Sequence, residues 1–359
     1  MRFQVLTQCL LAAVSFPVWA GDWPTWRGAD GSGRSDETGL PVQWSATENV
    51  RWKVPLPDRG NSSPIVWRDR VFVSQAIEKD PSYGLSYAGM AEAYVLLPEY
   101  SAGSPNESIP KAKAAAKRAL ELDETLAEAH TALGHALFGY DRNLPDSNRE
   151  FQRAIELNPN YATAHQWYAG GNLTVSQRFD EAIAEGKRAV ELDPLSLIVN
   201  LELATNYHYA RQYDQAIAQL RKIIELDQNW YLAHMVLCQA YESKGQLPEA
   251  AAECEKAREL NDDPYVLPFL GHVYVALGKR DEATKILGQM NESAKQRYVP
   301  AYGFAVLYAG LGDKDQAFQW LERSLQDRAW DITFLKVDPI MDNLHSDPRF
   351  ADLVKRARL

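Results

Sequence analysis

The residues best equipped for chemistry are three histidines, two cysteines and one glycine-rich loop. His130, His165 and His234 return at about a fixed interval, and three imidazoles that met would be a ligand set for zinc. They do not meet if each rides on its own structural repeat, because repeats about 10 Å apart cannot bring such side chains onto one ion. The loop from Gly28 to Gly33 holds three glycines, but no helix pattern follows it, so no helix N-terminus is in place to cradle a phosphate. No Gly-x-Ser-x-Gly elbow, phosphate loop, His-Glu-x-x-His or Cys-x-x-Cys occurs. The expectation is therefore a protein with no catalytic set, no metal and no cofactor, and hence not an enzyme.

What positions these residues is a repeat. Glu121-Leu122-Asp123 returns as Glu156-Leu157-Asn158, Glu191-Leu192-Asp193, Glu225-Leu226-Asp227 and Glu259-Leu260-Asn261, at spacings of 35, 35, 34 and 34 residues. A period of that size predicts a solenoid. Between recurrences a run of small and apolar residues, such as Ala127 to Gly134, meets a polar break and then a second run, such as Phe151 to Ile155. Each unit reads as two helices and a turn. Pro159 and Pro194 follow the tripeptide and mark where one unit stops, since proline cannot continue a helix.

The chain has 359 residues, 46% of them hydrophobic, which is enough for real cores. Its formal charge is −10, and residues 77 to 359 carry about −11, since residues 1 to 20 hold one Arg and residues 21 to 76 balance. Nucleic-acid partners want a basic stripe, so they are not expected. MRFQVLTQCLLAAVSFPVWA reads as a signal peptide over residues 1–20, too short for a membrane span and ending in a small-x-Ala pattern. Export, to the periplasm, is the expectation; if the signal does not act, the chain is cytoplasmic. Cleavage would remove Cys9 and leave Cys238 and Cys254.

Residues 21–76 change character, to Trp, Gly, Pro and β-branched residues. Val50 to Val54 alternates, and Ser63 to Trp67 and Arg70 to Ser74 flank a short Arg68-Asp69 turn as a hairpin. The text DWPTWRGADGSGRSDETGL followed by WSATENVRWKVPLPDRGNSSPIVWRDRVFVSQA resembles the entry and first blade of bacterial pyrroloquinoline-quinone-like β-propeller proteins, over residues 22–76. No further blade follows, so the segment is an incomplete blade, none of that family's sites carries over, and a quinoprotein reading is disfavoured. Gln75 to Asp80 reads both as a strand end and as a helix end, which suggests a join.

From Pro81 the chain resembles tetratricopeptide repeat proteins. Tyr87, Met90, Ala91 and Tyr94 open the series; His130, Leu133, Gly134 and Leu137 continue it, and the pattern persists to Phe304, Ala305, Tyr308, Ala317 and Leu321. The resemblance implies a mainly α, right-handed solenoid of about seven hairpins over residues 77–328, in which the three histidines hold a packing position. The first helix is expected from Leu85 to Leu97, a loop over residues 97–110, and its partner helix from Lys111. Residues 329–359 should form a connector, Trp330 to Asp338, and a capping helix from Pro348 with Phe350, Leu353 and Val354 on one face. In the frame of the repeat, Cys238 and Cys254 stand opposite each other in one hairpin. They are a candidate disulfide, the alternative being two small core residues.

The resemblance also implies a concave groove lined by the first helix of each hairpin: His135, Phe138, Gln166, Leu201, Thr205, His208, Met235, Gln239, Glu242, His272 and Tyr302. The Lys and Asn positions that clamp chaperone tails are missing, so a mixed groove for another protein or peptide is expected. The chain is thus read as a non-enzymatic scaffold. The alternative is a remnant of the repeat domain of a bacterial kinase, cyclase or winged-helix regulator.

Overall fold

The computed structural model describes residues 65–67, 70–72, 82–98, 104–261 and 264–359. The chain divides into two units, Met1–Asp80 and Pro81–Leu359. In the first, strands β1 (Ile65–Trp67) and β2 (Arg70–Phe72) pair antiparallel with Trp67 opposite Arg70. The expected signal segment and the rest of the expected blade lie outside the described residues.

The second unit is an α-solenoid of seven helical hairpins. They are α1 (Gly84–Leu96) with α2 (Pro105–Leu122), α3 (Ala127–Ala136) with α4 (Leu144–Leu157), and α5 (Ala162–Trp167) with α6 (Phe179–Leu192). Then come α7 (Leu197–Tyr209) with α8 (Tyr213–Leu226), α9 (Tyr231–Ser243) with α10 (Leu247–Leu260), α11 (Leu267–Ala276) with α12 (Arg280–Ala294), and α13 (Ala301–Leu311) with α14 (Lys314–Gln326). The chain ends in two 3-10 turns, Asp331–Phe334 and Pro339–Leu344, and α15 (Pro348–Ala357).

The recurring tripeptide does a local job. Its Asp or Asn closes the second helix of a hairpin, and its side chain then accepts the backbone N–H two residues on: Thr125 to Asp123 at 2.9 Å, Asn160 to Asn158 at 3.2 Å, Asn229 to Asp227 at 2.9 Å. That Asx turn aims the chain into the next hairpin. The tripeptide's Glu takes an arginine three residues earlier, as in Arg118–Glu121, Arg153–Glu156 and Arg188–Glu191. Small residues let helices touch: a Cβ on Gly271 would stand 2.7 Å from Leu307 Cδ1.

The difference between 35 and 34 residues has a structural cause. In the two 35-residue units the first helix runs into a π-helical turn, Leu137–Asp141 after α3 and Tyr168–Leu173 after α5. The 34-residue units built on α7 and α9 have none. One extra residue is absorbed as a π-bulge rather than as a longer loop.

Two local expectations need correcting. Helix α2 starts at Pro105, not Lys111, with Pro105 in the first turn and Pro110 inside the helix. Pro105, which read as loop, suits the helix start, where the missing N–H costs little, and the helix runs on through Pro110. Trp330 to Asp338 is not a mere connector: it contains a 3-10 turn, and its Ile332 and Leu335 join the main core.

Candidate functional site

After α14 the chain turns back along the concave face, and residues 330–344 lie in the groove. The Trp330 ring stacks on His135 at 4.7 Å and meets Phe138 edge-on at 4.9 Å. Phe334 stacks on Tyr209 at 5.2 Å and packs against Phe138. Tyr265 and Tyr302 donate their hydroxyls to Asp331 and Asp338, each at 2.9 Å. Arg211 pairs with Asp342 at 2.8 Å, and Asn343 donates to the Ala309 carbonyl. The π-bulge after α3 makes room: a Cβ on Gly139 would come within 2.5 Å of the Trp330 ring, so only glycine admits it.

The groove residues expected to face a partner are accordingly covered by their own chain. His135, Phe138, Gln166, Leu201, His208, Met235 and Tyr302 are buried. Leu201, Met235 and Tyr302 belong to the main core cluster, together with Ile332, Leu335, Met341 and Leu344. Thr205 is half-buried and donates to the Leu201 carbonyl, and Gln239 is half-buried. Glu242 and His272 are hydrogen-bonded at 2.7 Å and, with Pro339 and Ile340, border a cavity of about 300 Å³ at the rim. The physical reason is the composition of the returning segment. Eight apolar side chains between Trp330 and Leu344 are far more than a solvated connector carries, and that excess was the signal available to sequence reading.

Burial sets the electrostatics. It pushes the Asp338 carboxyl up to about 6, against hydrogen bonds from the Ile340 N–H and the Tyr302 hydroxyl that act the other way. It pushes His208 down to about 3, with Arg211 adding to the shift; Nδ1 of His208 is buried without a hydrogen bond. An imidazole held neutral fits an apolar wall better than a groove that recruits anions.

The three repeated histidines lie elsewhere, between helices. Nδ1 of His130, His165 and His234 stands 2.6, 2.5 and 2.6 Å from Glu150, Glu185 and Glu253. Each Nε2 stands near a backbone carbonyl of the preceding turn, of Glu124, Pro159 and Gln228. The arrangement ties the two helices of one hairpin to the turn before them. Cys238 on α9 and Cys254 on α10 are joined in a disulfide with Cα atoms 5.3 Å apart.

The tetratricopeptide-repeat family model matches residues 133–196 and 201–264. Both stretches are tetratricopeptide repeats. None of the curated proteins matches the sequence. Among solved structures, a human IFIT1 dimer with m7Gppp-AAAA is 14% identical, with a TM-score of 0.52, covering 76% of this chain and 64% of its own. The Cut9–Hcn1 hetero-tetramer of the APC/C is 18% identical, with a TM-score of 0.51, covering 78% of this chain and 50% of its own. PilF of Pseudomonas aeruginosa is 17% identical, with a TM-score of 0.45, covering 64% of this chain and 99% of its own. At these identities the first two share the tetratricopeptide-repeat fold alone. Among the described residues no helix is long and apolar enough to cross a membrane.

Proposed function

We propose that this protein is a non-enzymatic scaffold whose concave face receives a polypeptide segment, and that residues 330–344 hold that face until a partner takes it. The observation that carries the reading is the occupant itself. A non-periodic stretch of 3-10 turns is bound through ring stacking, two tyrosine-to-carboxylate hydrogen bonds and a side-chain contact to a backbone carbonyl, much as a groove recognises a short helical segment. A partner would carry the same chemistry, an aromatic residue followed at helical spacing by a second aromatic and an acid.

The same reading keeps residues 1–20 as an export signal, residues 21–76 as a relic of a propeller blade, residues 77–328 as the repeat domain and residues 329–359 as its cover. The signal-like text and the buried cysteine pair in one hairpin support an oxidising compartment.

Trp330→Ala with Phe334→Ala should vacate the groove. A labelled synthetic peptide of residues 329–344 should then bind the double variant saturably and the parent protein weakly or not at all. A double variant that keeps its helical circular dichroism and ignores the peptide would overturn the reading.

A further inference from the structure

We propose that the cavity walled by Arg142, Arg328, Arg356 and Arg358 is an anion site that takes a phosphate monoester dianion. The cavity has a volume of about 490 Å³, and Tyr140 and Asp141 also line it. Tyr140 and Arg328 also border the occupied groove beside His135, Gly139 and Trp330, so the cavity adjoins that groove. Four guanidinium groups around one space stand out in a chain whose formal charge is −10.

The local charges do not cancel. Asp141 is the one carboxylate side chain in the wall, and Lys113 already pairs with it. Arg356 is held by Glu322 and Asp352. Arg328 lies over the Tyr140 ring at 4.4 Å, with only a long contact to the Tyr140 carbonyl. Arg142 is the decisive group. Its Nε and Nη2 are buried and have no hydrogen-bond partner, a condition that protein structures rarely leave uncompensated. Burial, and then the fields of Arg328 and Arg358, push this guanidinium down to about 10.

Backbone strain points the same way. Six hairpins end their first helix on a residue with positive φ, and in three of them it is Gly245, Gly278 or Gly312. At the equivalent place the second hairpin has Arg142, at φ 51°, although glycine would sit there without cost. Arg211, likewise left-handed, uses its guanidinium on Asp342. Nε and Nη2 of Arg142 have no such partner among the described residues. Arg328 and Arg358 are left-handed as well, each just past a helix C-terminus, where an αL cap is common.

A tetrahedral dianion suits this wall better than a carboxylate. Each guanidinium presents a planar fork of donors, and a phosphate offers several acceptors and nearly two charges to forks arriving from different sides. The volume is many times the roughly 30 Å³ of a water, which leaves room for part of the group that bears the phosphate. That group could belong to a small metabolite or to a phosphorylated protein side chain, and the recognising chemistry is the same.

The test is calorimetric titration of the full chain with inorganic phosphate, phenyl phosphate and a capped Gly-phosphoserine-Gly peptide, with sodium acetate at equal ionic strength as the control. The site predicts saturable binding of the phosphate probes, none of acetate, and at least tenfold weaker binding by Arg142→Asn, since asparagine tolerates the left-handed backbone. Tighter binding of the peptide assigns a protein-borne phosphate, and tighter binding of phenyl phosphate assigns a metabolite; either ordering upholds the site. No saturable binding of any phosphate probe, or equal binding by a folded Arg142→Asn protein, overturns it. If Arg142→Asn fails to fold, Arg358→Asn at the exposed wall should weaken binding at least threefold, and unchanged affinity there overturns the proposal equally.

Discussion

His130 and His234 each sit between two acceptors, a glutamate and a backbone carbonyl, which only a doubly protonated ring can satisfy. At His130 burial opposes the charge but Glu150 and the Glu124 carbonyl outweigh it, and at His234 the Glu253 hydrogen bond leads; both pKa values rise. A raised folded-state pKa contributes stability that is complete below the unfolded value of about 6.5 and is lost as pH rises through the folded value. The carboxyls of Asp338, raised to about 6, and Glu92, raised to about 8, act in the same direction, since the folded state holds their protons more tightly. The urea midpoint should therefore fall between pH 5 and pH 9. His130→Asn with His234→Asn should lower it by the equivalent of about 1–3 kcal/mol at pH 5.5 and much less at pH 9. An equal loss at both pH values would mean that the histidines act by packing alone.

At the scale of elements, the π-bulge after α3 performs two tasks with one inserted residue. It brings Phe138 and Gly139 under Trp330 and ends on left-handed Arg142. Gly139→Ala should thus displace Trp330 rather than the solenoid, at a cost of about 1–3 kcal/mol for overpacking. Limited proteolysis would read it as new cleavage between α14 and α15 with the helical signal unchanged, and a cleavage pattern like the parent's would refute it. The disulfide works within a single hairpin. Closing a loop of about 15 residues constrains the unfolded chain by about 3 kcal/mol, which supports α9 and α10 but links no other repeats.

For the molecule as a whole, a simple solenoid gains stability only from neighbours, and such chains can unfold piecemeal. Here the returning segment ties distant repeats together. Arg328 reaches Tyr140 across 188 residues, Arg211 reaches Asp342 across 131, and Tyr302 and Tyr265 add two further hairpins. The repeat unit should therefore unfold in one cooperative transition. Trp330→Ala with Phe334→Ala, which removes a half-buried and a buried ring, the buried one alone a truncation of about 3–5 kcal/mol, should split that transition in two as followed by circular dichroism in urea. A single transition in the double variant would place the cohesion between neighbouring hairpins instead.

The period, the hairpins and the terminal helix were legible in the residues because they follow from short-range rules. The Glu-Leu-Asp/Asn recurrence closes one helix and aims the next through an Asx turn, and Phe350 and Leu353 lie on one face of α15 because three residues make nearly one helical turn. The facing of Cys238 and Cys254 likewise follows from one hairpin. The openness of the groove was not legible. His135, Phe138 and Tyr302 occupy positions that line the concave face whatever covers them. Whether they meet water or Trp330 and Asp338 depends on a segment without period that arrives from the far end of the chain. Arg142 is the same case, since its neighbours Arg328 and Arg358 come from the ends of α14 and α15, about two hundred residues on. Helix periodicity is set by the residues one and two turns away, but burial is set by whatever fills the space, and only the tertiary structure decided that.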